Sequence, residues 1–355
     1  MASKVYFVPT KDGVSKDERA QAALKIFQAA SVSDKIEEGE YVAVKLHVGD
    51  QNNVTAIPPE TIRPLVDEIK KKKGLPFLTE TSTLYKGVRM NAVTHIMHAV
   101  SRGFTIENTG APFIMADGLA GDSEKAVAID GVLFKEVSVA KEARMSDFLL
   151  VISHMTGHMV AGFGATIKNL GMGLASRKGK LRQHSSMSPE VIPASCVMCG
   201  KCLQWCPVDA ISKANDKALI DKDTCIGCGE CLAVCRFGAI KYDWGADSKW
   251  MQEAMAEHAL GVVKDKKAFY INDCCTMTQE CDCMPTKQEV FIPDVGVLGS
   301  WDPVALDQAS IDLTKHDGDI NLSEKSYPNL DGNAQLIHAE KIKMGTRQYE
   351  LITLE

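Results

Sequence analysis

Two copies of one cysteine spacing constrain this chain more than any other feature. Residues 196 to 207 read CVMCGKCLQWCP, and residues 225 to 236 read CIGCGECLAVCR. Each is C-x2-C-x2-C-x3-C. The second lies 29 residues after the first, so Gly200 matches Gly229, Ala210 matches Ala239 and Ile211 matches Ile240. In such a run three closely spaced thiolates reach three irons of one 4Fe-4S cubane, and the fourth projects to a neighbouring cluster. The spacing predicts two crossed ligand sets, Cys196, Cys199 and Cys202 with Cys235, and Cys225, Cys228 and Cys231 with Cys206. A pair of zinc sites fits less well, because tetrahedral zinc usually takes two C-x2-C pairs separated by a longer loop.

From about 191 to 243 the sequence resembles the bacterial two-cluster ferredoxin domain. One departure is Arg236, where that family usually has a proline, as at Pro207. All eight ligands stay intact, so the change bears only on the local turn and the potential of the adjacent cluster. Clusters ligated by thiolate at every iron have no open coordination site, which leaves electron relay as the expected role. Backbone N–H groups around Gly200, Gly227 and Gly229 are expected to donate to the sulfurs and tune the potential.

The chain has 355 residues and twelve cysteines. The start, MASKVYFVPTKDG, lacks a signal peptide's apolar region, so reduced thiols and a cytoplasmic location are expected rather than a disulfide framework. A net charge of −6 supplies no bulk positive field for nucleic acid, and no stretch approaches a membrane span.

Outside the cysteine repeat, short apolar runs alternate with amphipathic segments. Strands are expected at Val5–Val8, Tyr41–Val48, Pro76–Thr79, Pro112–Ala116, Phe148–Ser153 and Ala268–Ile271. Helices are expected at Asp17–Ala30, Pro59–Lys73, Val88–Arg102 and from Pro303 onward, capped by Asp302. The run Lys70 to Lys73 reads as a solvated helix end. The fold class expected is α/β, a mainly parallel sheet with helices on both faces and an inserted small α+β ferredoxin-like domain. In that division residues 1–190 begin the α/β domain, 191–243 are the insertion and 244–355 complete the α/β domain, with an apolar tail at 336–342 and 349–354 packing on the body.

Three further regions carry candidate chemistry. Residues 272 to 285 read NDCCTMTQECDCMP. Cys281 and Cys283, with Cys274 or Cys275 as a third ligand, could hold a third metal or iron-sulfur centre; a reversible disulfide and plain buried thiols are the alternatives. The segment from Ser153 to Ser186 contains His154, His158, Lys168, Lys178, Lys180 and His184, with five glycines between 157 and 173. Its histidines suit proton exchange with a substrate, metal ligation or structural hydrogen bonding, and its lysines suit an anion. Lys45, His47, Asp50 and Asn53 follow one strand and Glu80, Thr81, Thr83, Tyr85 and Arg89 follow another, at the end of a parallel sheet where ligands bind. Gly162-Phe-Gly164 is too short for a dinucleotide fingerprint.

Taken together, VKLHVGD (44–50), TETSTLYKG (79–87), SHMTGH to GATIKNLGMG (153–173), the cysteine repeat, CDC (281–283) and SWDPVALDQASIDL (300–313) resemble the uncharacterised iron-sulfur centre protein family, domain of unknown function 362. That resemblance implies an α/β body with a ferredoxin insertion and an anaerobic source, but no reaction. The function expected is an iron-sulfur oxidoreductase passing low-potential electrons through two 4Fe-4S clusters to a small anionic substrate near His154, His158, Lys168, His184 and the CDC segment. The residues do not decide for or against a flavin. The alternatives are a non-catalytic subunit docking to a redox partner protein and a cluster-delivery factor.

Overall fold

The run FLLVISH at 148–154 is too apolar for a strand with one wet face, and all seven of its residues are buried. Such a strand belongs inside a sheet covered on both sides. The computed structural model describes residues 2–85, 87–184, 189–225, 230–241, 248–316 and 319–355. Among these, eight strands form one sheet: β1 Ser3–Pro9, β2 Tyr41–Lys45, β3 Leu75–Glu80, β4 Phe113–Met115, β5 Phe148–His154, β6 Lys267–Cys274, β7 Gly296–Ser300 and β8 Tyr349–Thr353. Their order across the sheet is β8-β1-β7-β6-β5-β2-β3-β4. Every pairing is parallel except those of β7, which is antiparallel to both β1 and β6. The fold is α/β with a mainly parallel sheet.

Alternation along the strands divides the core in two. Phe148, Leu150 and Ile152 join Ile26 and Phe27 of helix Lys16–Ala29 and Ile62, Leu65 and Ile69 of helix Pro59–Lys71. Leu149 and Val151 face the other way, toward Met255 and Ala259 of helix Ser248–Val263, and Leu306 and Ala309 of helix Pro303–Leu313. Helices therefore cover both faces. Local signals set their ends: Ser15 and Glu18 form a capping box, and the Asp302 carboxylate accepts from the N–H of Val304 and Ala305.

Several boundaries differ from the sequence expectation. The second strand ends at Lys45 rather than Val48 because the chain leaves the sheet there to wall a cavity, and the third helix begins at Ala92, where Asn91 caps it. The segment after β5 is a hairpin, Thr156–His158 paired with Gly162–Gly164, followed by helices Thr166–Gly171 and Arg177–His184. Its glycines press against protein: a Cβ on Gly157 would lie 2.1 Å from the Gln279 carbonyl, and one on Gly171 2.0 Å from that of Met255. The tail packs as a helix, Ala334–Lys341, and as β8 beside β1. In the lysine run, Lys72 and Lys73 pair with Asp34 and Glu38. None of the described helices is long and apolar enough to cross a membrane.

Candidate functional site

The sheet order reverses at β2. The chain continues from β2 to β3 and β4 on one side, whereas β5 and then β6 add on the other. Such a switch point leaves a crevice beyond the carboxyl ends of the strands. A cavity of about 170 Å³ lies there, room for a small molecule. His47 follows β2, Glu80 and Thr81 follow β3, and Ser153 and His154 end β5. Because β7 re-enters the sheet from this same end, the loop between β6 and β7 lies across the crevice and brings in Cys281, Asp282 and Cys283.

The sequence candidates at the strand ends come together here. Arg89 donates to Asp50 at 3.0 Å and lies 3.0 Å from the Nε2 of His47, and the Tyr85 hydroxyl is 3.2 Å from Asp50. Glu80 contacts His95 at 2.7 Å and Lys45 at 3.9 Å. Burial pushes His47 down to about 3, helped by the Arg89 charge, and pushes Lys45 and Lys168 down to about 8. It also lowers Lys180 to about 7 and His184 to about 4. The lining carries Arg89, His154, Lys168 and Lys180 against Glu80 and Asp282, an excess of cations.

His154 and His158, four apart in sequence, have separate duties. His154 Nδ1 is 2.8 Å from Asp282 and its Nε2 is 2.9 Å from the Cys275 carbonyl. Both partners are acceptors, so both ring nitrogens carry hydrogens and the ring is an imidazolium. Burial opposes that charge, but Asp282 overrides burial and raises the His154 pKa. With both nitrogens engaged, His154 anchors the CDC segment and has none free for a substrate. His158 is the reverse case. Its Nδ1 accepts from the N–H of Val160 and Ala161 at 3.2 and 3.0 Å, and burial holds it neutral.

Donor atoms of His158, Cys281 and Cys283 lie within 4.8 Å of one another, a candidate metal-binding group. Cys274 lies elsewhere, its sulfur 3.6 Å from that of Met155 in the core, because the alternation of β6 turns it to the face opposite Phe269 and Ile271. Cys275 lies 3.6 Å from the Thr10 hydroxyl. Lys178 pairs with Glu230 at 3.0 Å and Glu124 at 3.5 Å and is not among the lining residues. The pair Met251 and Met255 on helix Ser248–Val263 had no motif, and Asp282 lay inside the CDC motif without being singled out. The four-residue spacing of Met251, Met255 and Ala259 was the available signal for that helix.

The duplicated sequence folds as a duplicated structure. Ile211–Ala214 pairs with Lys217–Ile220, and Glu190–Val191 pairs with Ile240–Lys241. Under the 29-residue repeat Ile211↔Ile220 maps onto Ile240↔Val191, and the short helices Lys201–Gln204 and Glu230–Val234 begin at matching positions. The N–H of Ile192 donates to the Ala239 carbonyl, and its match, Asp221, donates to that of Ala210. Cys206 and Cys235 each accept an N–H from the residue four positions on, Ala210 at 3.2 Å and Ala239 at 3.3 Å. Burial raises the Cys202 pKa, and the neighbours that add to the effect are Cys235, Cys196 and Cys199. Cys196, Cys202, Cys206, Cys225, Cys231 and Cys235 share one apolar cluster with Leu84, Leu181, Ile220, Leu232 and Ile240. Leu84 also lines the cavity. Gly227, Cys228 and Gly229 lie outside the described residues, as does the expected boundary at 243.

Residues 42–312 match the family model "Domain of unknown function (DUF362)". The chain belongs to this family. No curated protein matches it. Among solved structures it is similar to the lactate racemase apoprotein from Thermoanaerobacterium thermosaccharolyticum, at 13% identity and a TM-score of 0.38, over 76% of this chain and 50% of that one. A Thermotoga maritima protein is similar at 12% identity and a TM-score of 0.39, over 82% of this chain and 57% of the other. The chain thus spans about half the length of these solved chains.

Proposed function

We propose that the protein is an iron-sulfur oxidoreductase of a reducing compartment such as the cytoplasm. In this reading two 4Fe-4S clusters are held by Cys196, Cys199, Cys202 and Cys235, and by Cys225, Cys228, Cys231 and Cys206. When bound they supply low-potential, one-electron transfer, loaded by a redox partner protein and delivered to the cavity. The fit of the residues rests on the pseudo-symmetric pairing of the module, its N–H donors to sulfur, and the proximity of Cys202 to Cys196, Cys199 and Cys235.

The observation that carries the reading is Leu84, which packs against the module's cysteine-bearing core and also lines the cavity. Electron source and cavity thus share a wall. Inside the cavity Lys168 and Arg89 would orient a small anion, and the neutral His158 ring would present its Nε2–H to it. A second reading, a subunit that only docks to a larger redox complex, draws on the exposed Val197, Trp205, Leu219 and Phe237 of the module.

The test is to reduce the anaerobic protein and follow bleaching and recovery of its iron-sulfur absorbance on mixing with a panel of small oxoanions and carboxylates. One anionic acceptor should restore the absorbance, at least tenfold more slowly in Lys168→Ala and His158→Ala proteins of unchanged iron content. Recovery only with a partner protein, unaffected by either substitution, would select the docking subunit.

A further inference from the structure

Cys281 and Cys283 flank a residue whose side chain is held by other partners. The Asp282 carboxylate is held by His154 at 2.8 Å, by the Asn53 amide at 3.0 Å and by the Thr55 hydroxyl at 3.2 Å, while its carbonyl accepts the N–H of Asp50 at 2.9 Å. With the middle residue clamped inward, both sulfurs line the cavity, and they are joined to each other. Around them stand hydrogen-bond donors. The Lys168 ammonium and the N–H of Cys283 each lie 3.2 Å from the Cys281 sulfur. A donor atom of His158 is within 4.8 Å of both sulfurs.

The same three side chains could be read as metal ligands, but His158 argues against it. A ligating imidazole uses one nitrogen's lone pair and donates a hydrogen from the other. Here Nδ1 accepts two backbone N–H groups, so the neutral ring carries its hydrogen on Nε2. Asp282, the nearest carboxylate in sequence, is committed to His154, Asn53 and Thr55. An ammonium and a backbone N–H at the Cys281 sulfur, with the His158 ring nearby, make a setting that stabilises a thiolate.

The geometry points to a redox-active pair: Cys281 and Cys283 form the disulfide–dithiol couple that takes electrons from the relay at the cavity wall. This rests on the proposed cluster module. The step takes two electrons, one from each reduced cluster, and one proton if Cys281 stays a thiolate or two if it ends as a thiol. The S–S bond breaks, Cys283 becomes a thiol, and Cys281 becomes a thiolate neighbouring Lys168 or a thiol after taking a proton from it; solvent supplies the remaining proton. The cysteine pair is reduced and the two clusters are oxidised by one electron each. Two one-electron carriers match one two-electron acceptor in electron count.

The experiment uses full-length protein purified anaerobically, poised oxidised or reduced with dithionite, quenched in acid and alkylated with light, then after chemical reduction with heavy, iodoacetamide. Residues 268 to 287 form one tryptic peptide, which holds Cys274, Cys275, Cys281 and Cys283 and none of the eight repeat cysteines. Heavy label on both Cys281 and Cys283 in the oxidised sample, replaced by light label in the reduced one, is the expected result. Cys281→Ser protein should lose this response at Cys283 while keeping its iron. Light label on both in the oxidised sample would overturn the pair, as would a stoichiometric metal lost from Cys281→Ser and Cys283→Ser proteins. Iron missing from the repeat would instead end the relay reading, since the pair could still cycle with dithiothreitol. Reducible clusters beside an unresponsive pair end this inference alone.

Discussion

The cavity and the cysteine module sit side by side but are held together differently. Around the cavity the buried polar groups are satisfied by one another, Asp282 with His154 and Asp50 with Arg89 as ion pairs and Glu80 by a hydrogen bond from His95, and two apolar cores flank the sheet behind them. The module's apolar cluster is small, a few leucines and isoleucines such as Leu181, Ile211, Ile220, Leu232 and Ile240 set among six cysteines, with two-residue and four-residue strands around it. In the proposed reading a region with so small an apolar core depends on what its cysteines bind. The cavity is held by contacts within the protein, and in the proposed reading the module is completed by its clusters.

The largest expected effect tests that contrast. Stripping iron with a chelator under reducing conditions should unfold residues 189–241, a loss on the order of 10 kcal/mol for a structural metal site. Hydrogen exchange should show the module's protection gone while β5 and β6 keep theirs. Equal loss in both regions would mean that the module holds the body together.

Next in size is Asp282→Ala. It leaves the His154 imidazolium buried without its partner, and breaking a buried pair from one side costs about 3–5 kcal/mol. Denaturant unfolding of the apo body should show this, with the metal content of the module unchanged.

The same pair gives a pH dependence. Burial pushes Asp282 up, but the His154 charge overrides it and holds the carboxyl below its ordinary 3.8, so its contribution is in place above pH 3.8 and lost as pH falls through the lower folded value. The His154 pKa is raised above 6.5, so its contribution is in place below pH 6.5 and lost as pH rises through the folded value. The stability difference between wild type and Asp282→Asn should therefore be greatest between about pH 4 and 6.5 and shrink on both sides. A flat difference would remove the ion pair from the account.

The two regions were also unequally legible in sequence. The module's spacing states its own symmetry, because ligand geometry demands fixed intervals, and the strand pairing repeats at the same 29-residue offset. In the body, β5 showed as one unbroken apolar run. By contrast β7, with Gly296 and Gly299 in five residues, offered neither alternation nor β-branched density, and the hairpin strands Glu124–Ala128 and Glu136–Ala140 carry charge on their exposed faces. Residues recurring after β2 and β3 announced the cavity, since parallel strands deliver their carboxyl ends to one place. The bond between His154 and Asp282 spans 128 positions and no local pattern encodes it. For that reason the sequence left proton exchange, metal ligation and structural hydrogen bonding all open for His154.

The smallest effect is at the boundary between the regions. Lys178, a quarter exposed, joins Glu124 of the body to Glu230 of the module. Lys178→Ala should cost about 0.5 kcal/mol and leave cluster content unchanged. A larger loss would show that this contact fixes the module on the body.

The central claim is that the duplicated cysteines hold two crossed clusters, and the most direct measurement is iron, zinc and sulfide analysis with electron paramagnetic resonance of anaerobic, dithionite-reduced protein, wild type beside Cys206→Ser. The account predicts about eight irons and two reducible clusters in the wild type. In Cys206→Ser it predicts loss of the cluster whose other ligands are Cys225, Cys228 and Cys231, with the second retained. Stoichiometric zinc without iron would contradict the clusters, and loss of only the cluster on Cys196, Cys199 and Cys202 would contradict the crossing.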